Sequence, residues 1–137
     1  MFSLVYSSIA ITALNSDELD VLLGTSRRHN VADNLTGLLL HVVPEEDGRA
    51  YFVQVLEGEQ STVERTYARI QQDELHADLQ VLSSGPVAQR SFGDWDMRLS
   101  EIYASQLQQA LPSGGSDVSE LIRDPEVVSR LLHQYVS

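Results

Sequence analysis

Leu35-Thr-Gly-Leu-Leu-Leu-His-Val-Val43 and, beyond a polar connection at Pro44-Glu-Glu-Asp-Gly48, Ala50-Tyr-Phe-Val-Gln-Val-Leu-Glu57 decide the fold of this chain. The first stretch is apolar on both faces, as a strand buried in a sheet must be. The second closes at Gly58, and the connection between them is a hairpin loop of above-average length. Upstream, Phe2-Ser-Leu-Val-Tyr-Ser-Ser-Ile9 reads as another buried strand. Asn15 with Glu18 makes a capping box with Asn in place of Ser or Thr. Leu19, Leu22, Leu23 and Ser26 then predict a one-faced helix ending near His29-Asn30, before the turn chemistry of Asp33-Asn34. Downstream, Ser61 and Glu64 form a second capping box, opening a helix with Val63, Tyr67 and Ile70 on one face. Leu79 to Ser83 and Trp95 to Ile102 are expected strands, separated by Gly85-Pro86 and Gly93.

The order β-α-β-β-α-β with one extra strand predicts an α+β, ferredoxin-like sheet carrying both helices on one face. The opposite face then needs cover. Pro112-Ser-Gly-Gly-Ser116 is a flexible break, and Asp124-Pro125 is an N-cap followed by a first-turn proline. Val127, Val128, Leu131, Leu132 and Tyr135 line one face of the helix that follows. Residues 1–102 therefore read as one sheet domain, and residues 103–137 as a helical extension covering its exposed face.

Composition narrows the chemistry. With 42% hydrophobic and 21% charged residues in 137, the chain reads as one ordinary globular domain. Nine Lys+Arg against twenty Asp+Glu give a formal charge of −11, a field that disfavours nucleic acid and anionic membrane surfaces. The absence of cysteine removes disulfides, thiolate metal sites and thiol nucleophiles, and is compatible with a reducing cytoplasm. His29, His41, His76 and His133 never pair at helical ligand spacing, so no metal site is expected. No serine sits in a G-x-S-x-G elbow, and no glycine cluster opens a helix as a dinucleotide loop requires. Glu45-Glu46-Asp47 reads as a solvated loop.

Three polar residues are conspicuous in this apolar frame. Alternation places Gln54 on one face with Phe52 and Leu56, and Tyr6 on one face with Phe2, Leu4 and Ser8. A buried amide without partners costs about 1–3 kcal/mol. Asn30 falls beside a helix end. Each has a structural reading, a Gln–Tyr core pair or an αL cap. A flat ligand held between Leu22 and Ile70, with amides at its edge, accounts for all three together. Isoalloxazine has that shape, with apolar faces and an edge of alternating donors and acceptors.

Four stretches resemble those of the BLUF domains, the bacterial sensors of blue light using flavin. They are Leu4-Val-Tyr-Ser-Ser8; Ser26-Arg-Arg-His-Asn30 with Leu35-Thr-Gly-Leu38; Phe52-Val-Gln-Val-Leu-Glu-Gly58; and Arg90-Ser-Phe-Gly-Asp-Trp-Asp-Met97. The resemblance implies a non-covalent flavin, usually FAD, between the two helices of a ferredoxin-like fold. It implies that Tyr6 and Gln54 are the photoactive pair, that Asn30 reads the C4=O and N3–H edge, and that Leu22 and Ile70 pack on the ring faces. Ser8, Trp95 and Met97 match positions around that pair, and Trp95 and Met97 share one face of their strand. His29 matches a position beside the ring, and Arg69 and Asp73 match the ribityl-phosphate end. The family often has Asp-x-Arg-His where this chain has Asp73-Glu-Leu-His76. Leu75 cannot pair with phosphate, which leaves that contact to Arg69, Arg28 or His76 and admits FMN or riboflavin beside FAD.

The implied mechanism is photochemical rather than enzymatic. Tyr6 gives up an electron and then a proton, both return, and Gln54 is left rearranged with a stronger hydrogen bond to the ring. The chain is then a short photoreceptor without its own output enzyme, signalling to a protein partner or through an assembly of its own copies. Two alternatives remain on the same fold, a flavin-free interaction module and an acylphosphatase-like hydrolase. The second needs an arginine-bearing phosphate loop, which Ser7-Ser-Ile-Ala-Ile-Thr12 does not supply.

Overall fold

Five strands, β1 (Phe2–Ala10), β2 (Thr36–Val43), β3 (Tyr51–Gly58), β4 (His76–Pro86) and β5 (Arg98–Tyr103), form a sheet in the order β4-β1-β3-β2-β5. The computed structural model describes residues 1–10, 16–43, 50–72, 76–93, 98–103 and 118–135; a few side chains within elements, those of Leu19, Leu22, Leu23 and His76 among them, lie outside that description. β1 pairs antiparallel with both β3 and β4, β2 pairs antiparallel with β3, and β5 runs parallel to β2 at the edge. This is the expected split β-α-β arrangement with its extra strand.

The two faces bury different sets of side chains. Leu4, Tyr6, Leu39, Phe52 and Leu56 form one core, against which Val63, Tyr67 and Ile70 of helix α2 (Gln60–Gln71) pack. Leu38, Leu40, Val42, Val53 and Val55 form the other, covered by helices α3 (Val118–Leu121) and α4 (Pro125–His133). Each such side chain removed from water contributes about 1.5–3 kcal/mol before entropy is counted. Asp124 caps α4 by accepting from the backbone N–H of Glu126 at 3.0 Å and of Val127 at 3.4 Å, with Pro125 in the first turn. Val128, Leu131 and Leu132 face the sheet as their spacing predicts.

Several boundaries differ from expectation. The first helix, α1 (Ser16–Asp33), runs a full turn beyond His29-Asn30. Its stop is set by Asn34, whose positive φ of 55° lets its N–H reach Val31 O and the Leu35 N–H reach Asn30 O at 2.8 Å. Helix α2 begins at Gln60 with Glu59 as N-cap, so Ser61 lies inside the first turn and donates to the Glu59 carboxylate instead of closing a box with Glu64. β4 continues through Gly85-Pro86, an edge position where proline is tolerated because no second neighbour needs its missing N–H. β5 starts at Arg98; Trp95 and Met97 fall outside the described residues, as do Asn15, Pro44–Gly48, Asp73 and Pro112–Ser116. No helix among the described residues is long and apolar enough to cross a membrane.

Gly58 ends β3 against the chain reversal after α1. A Cβ there would collide with Cδ2 of the fully buried Leu35. Gly58→Ala should therefore destabilise the fold by about 1–3 kcal/mol, the usual scale of overpacking, as read by urea unfolding. An unchanged midpoint would refute the close approach.

His41 is buried on β2, its ring stacked 5.1 Å from that of Phe52, with Nδ1 3.8 Å from Glu101 Oε1 across the β2–β5 pair. Neither ring nitrogen has a hydrogen bond within the described residues. Burial pulls its pKa below 6.5, against a smaller upward pull from Glu101. The unfolded chain then binds this proton more readily than the folded one, so stability present above pH 6.5 is lost as pH falls toward the lower native value. His41→Leu should flatten the stability difference between pH 7.5 and 5.5 measured by urea unfolding, at roughly those two pH values on either side of the histidine range.

Candidate functional site

The register of β1 on β3 sets Tyr6 directly opposite Gln54. Tyr6 is fully buried and Gln54 is 5% exposed. The Tyr6 hydroxyl donates to Gln54 Oε1, so the amide carries its oxygen toward the phenol and its NH2 branches away from it. Tyr67 of α2 packs against the Tyr6 ring, with centroids 5.2 Å apart and planes tilted by 56°. Burial raises the Tyr67 phenol above its ordinary pKa, while its ring walls Tyr6 from water.

Gln54 forms part of the wall of a cavity of about 220 Å3 between α1, α2 and the sheet. Leu39, Leu56 and Ile70 supply apolar surface, and Asn30 and Gln54 supply two buried amides. Thr66 lines the same cavity with a buried hydroxyl that has no hydrogen-bond partner within the described residues. A buried polar atom of this kind indicates a missing partner in the space it faces. His29 and Arg69, both exposed, stand at the rim. The volume falls below the roughly 300–1,000 Å3 of pockets that enclose a whole drug-sized ligand. It leaves room for a ring system rather than a whole cofactor, with the exposed His29 and Arg69 at its mouth. Apolar walls, two amides and an orphaned hydroxyl fit the faces and edge of an isoalloxazine.

The structure thus brings Gln54, Asn30, His29, Arg69 and Ile70 to one cavity, with Tyr6 behind Gln54. Asn30 lies in the last turn of α1 and is 2% exposed; the αL cap is Asn34, which removes the capping explanation for Asn30. Ser8 is buried opposite Phe52 on β3 and does not line the cavity. Arg28 is exposed and does not line the cavity itself, but donates at 3.3 Å to Oγ1 of Thr25, which does. Leu22 and His76 lie on α1 and β4, with their side chains outside the description, and Asp73, Trp95 and Met97 are outside it altogether. Sequence reasoning passed over Thr66, although it is the one polar residue in the Val63-Thr66-Tyr67-Ile70 stripe of α2.

It also passed over a second polar cluster at the end of β3. Glu57 is 2% exposed, and its carboxylate accepts from Ser91 N–H at 2.7 Å, Phe92 N–H at 2.9 Å and Thr36 Oγ1 at 3.1 Å. Arg90 donates through Nη1 to Thr36 Oγ1 at 2.8 Å and Glu57 O at 3.1 Å, and through Nη2 to Asn34 O at 2.8 Å. A carboxylate on the core face of a strand needs several donors at once, which is the signal that points to such a cluster.

Comparison with known proteins identifies the family. The profile of the family described as "Sensors of blue-light using FAD" matches residues 1–98. Photoactivated adenylate cyclase subunit beta of Euglena gracilis is 32% identical over 96 residues, 69% of this chain and 10% of that protein. The chain thus spans about a tenth of the length of the curated relatives it matches. The dark-state structure of BlrB, a BLUF protein, superposes with a TM-score of 0.66 at 28% identity, covering 93% of this chain and 96% of that one. BlsA in its photo-activated state shares the fold, with a TM-score of 0.76 at 24% identity over 97% of this chain and 92% of its own. A profile match over residues 1–98, together with photoactivated and BLUF relatives, places this chain in the BLUF family of blue-light flavin photoreceptors.

Proposed function

We propose that this chain senses blue light through FAD held between α1 and α2, with Tyr6 and Gln54 as the switch. The observation that carries the reading is the buried hydrogen bond from the Tyr6 hydroxyl to Gln54 Oε1 at the wall of the cavity. A bound flavin supplies blue-light absorption and an acceptor for one electron from a neighbouring phenol. Tyr6 is placed to be that phenol. Its proton already points at a defined acceptor atom, Gln54 Oε1, when loss of an electron makes the hydroxyl acidic. Return of both to Tyr6 restores the phenol, and the lasting change is in the Gln54 amide. A half-turn of that amide exchanges the atoms offered to Tyr6 and to the cavity, because its oxygen only accepts and its NH2 only donates. In a buried network such an exchange is worth a kcal/mol or more, on the scale of about 1–3 kcal/mol per misplaced polar group.

Asn30 fixes the ring by its edge in this reading, while Ile70 and Leu22 cover its faces and exclude water. Arg69 and His29 hold the phosphate end, with Asp73, Arg28 and His76 as the further candidates. FAD is the flavin that the family resemblance implies; a contact to phosphate serves FMN equally, and riboflavin shares the same ring chemistry. By the family resemblance, Trp95 and Met97, which precede β5 in sequence, are assigned to the transmission of the signal, and Ser8 supports Tyr6 from its own strand. We assign residues 1–102 to the photosensor and 103–137 to cover and output. The signal then leaves through a separate protein partner or an assembly of copies of this chain, in the cytoplasm.

Purified protein supplied with FAD should turn yellow, shift its absorption to the red under blue light, and recover in darkness. Tyr6→Phe should keep the flavin and lose the red shift. A colourless protein that takes up no flavin would identify a flavin-free module, and a normal red shift in Tyr6→Phe would remove Tyr6 from the switch.

A further inference from the structure

We infer that Glu57 and Arg90 form a coupling clamp through which the light-dependent state of the cavity reaches the C-terminal helices. The inference rests on the photoreceptor reading above and adds a route that does not pass through Trp95 or Met97. Its geometry is specific. Gln54 and Glu57 lie three residues apart on β3, facing opposite sides of the sheet. The Glu57 carboxylate grips the backbone of Ser91 and Phe92, and Phe92 is buried in the core formed with Leu121, Ile122, Val128, Leu131 and Leu132. One side chain therefore joins the photoactive strand to the packing of α3 and α4.

Arg90 brings the second amide into the same clamp. Its guanidinium binds Asn34 O at the end of α1, where the neighbouring Leu35 N–H binds Asn30 O at 2.8 Å. The elements bearing Asn30 and Gln54 thus end on one cluster. Any relative shift between them changes the Glu57 and Arg90 hydrogen bonds, whose energies fall steeply with distance and angle. An open groove of about 200 Å3 lies between Glu57, Phe92, Val128 and Leu132, which leaves room for the ring and α4 to shift.

Hydrogen–deuterium exchange of the FAD-loaded full chain, in darkness and under blue light, tests this. Wild type should show a light–dark difference in amides of residues 118–133. Glu57→Gln keeps the shape and one acceptor oxygen but turns the other toward Ser91 as a donor. Arg90→Lys keeps the charge without the fork. Each should retain flavin and red shift while the light–dark difference at 118–133 falls about threefold or more, within the range by which residues on a coupling route act. Asp124→Ala, which frays the α4 cap, should raise exchange equally in light and darkness. A red-shifting variant with the full wild-type difference overturns the clamp, as does a red-shifting wild type with no difference at 118–133. Loss of flavin from both variants also overturns it, because a coupling clamp leaves the cavity intact. A wild type that binds flavin without reddening defeats the photoreceptor reading instead.

Discussion

The register between β1 and β3 is the constraint on which the site depends. Tyr6 and Gln54 face one another because Phe2 pairs with Gly58 and the ladder runs from there without a break. A slip of one residue would turn one partner to the opposite face of the sheet. Strong apolar burial on both faces makes that slip costly, since Val53 and Val55 belong to one core while Phe52 and Leu56 belong to the other. The polar pair is therefore held in place by apolar neighbours on both faces of the sheet.

Much of this was legible in the residues. Period-two alternation placed Gln54 with Phe52 and Leu56, and the β-α-β-β-α-β order led to the sheet that forms. Helix limits were less legible. Asn30 and Asn34 are both plausible helix stops by composition, and only the backbone shows that Asn34 takes the positive φ. The α2 cap failed as a prediction because a capping box needs Ser61 outside the helix, and Glu59 starts it earlier. Thr66 and the Glu57–Arg90 cluster were hidden for another reason. The cluster's hydrogen bonds join residues 21 to 56 apart in sequence, Thr66 meets α1 only across the cavity, and no local pattern encodes either proximity.

The choice of basic residue matters to this architecture. All nine positive side chains are arginine, in a chain of net charge −11. Arg90 shows what that permits: two guanidinium nitrogens reach three oxygens on three residues, Asn34, Thr36 and Glu57, from one planar fork. A lysine offers a compact ammonium on a mobile stem and holds such a set of acceptors less firmly. Glu57 meanwhile lies inside the protein with its acceptors satisfied by backbone and hydroxyl donors. Buried charge here organises backbone rather than serving as an exposed ion pair.

The two-sided sheet also separates what evolution can change. Even-numbered residues of β3 look toward the cavity and odd-numbered ones toward α3 and α4. Substitutions on the odd face alter the packing beneath α3 and α4 without placing new side chains in the cavity. Insertions or deletions inside β3 have no such freedom, because one residue more or less would exchange the two sets. Lineages diverging from this fold should therefore vary by replacement within β3 and by length only in the loops around it.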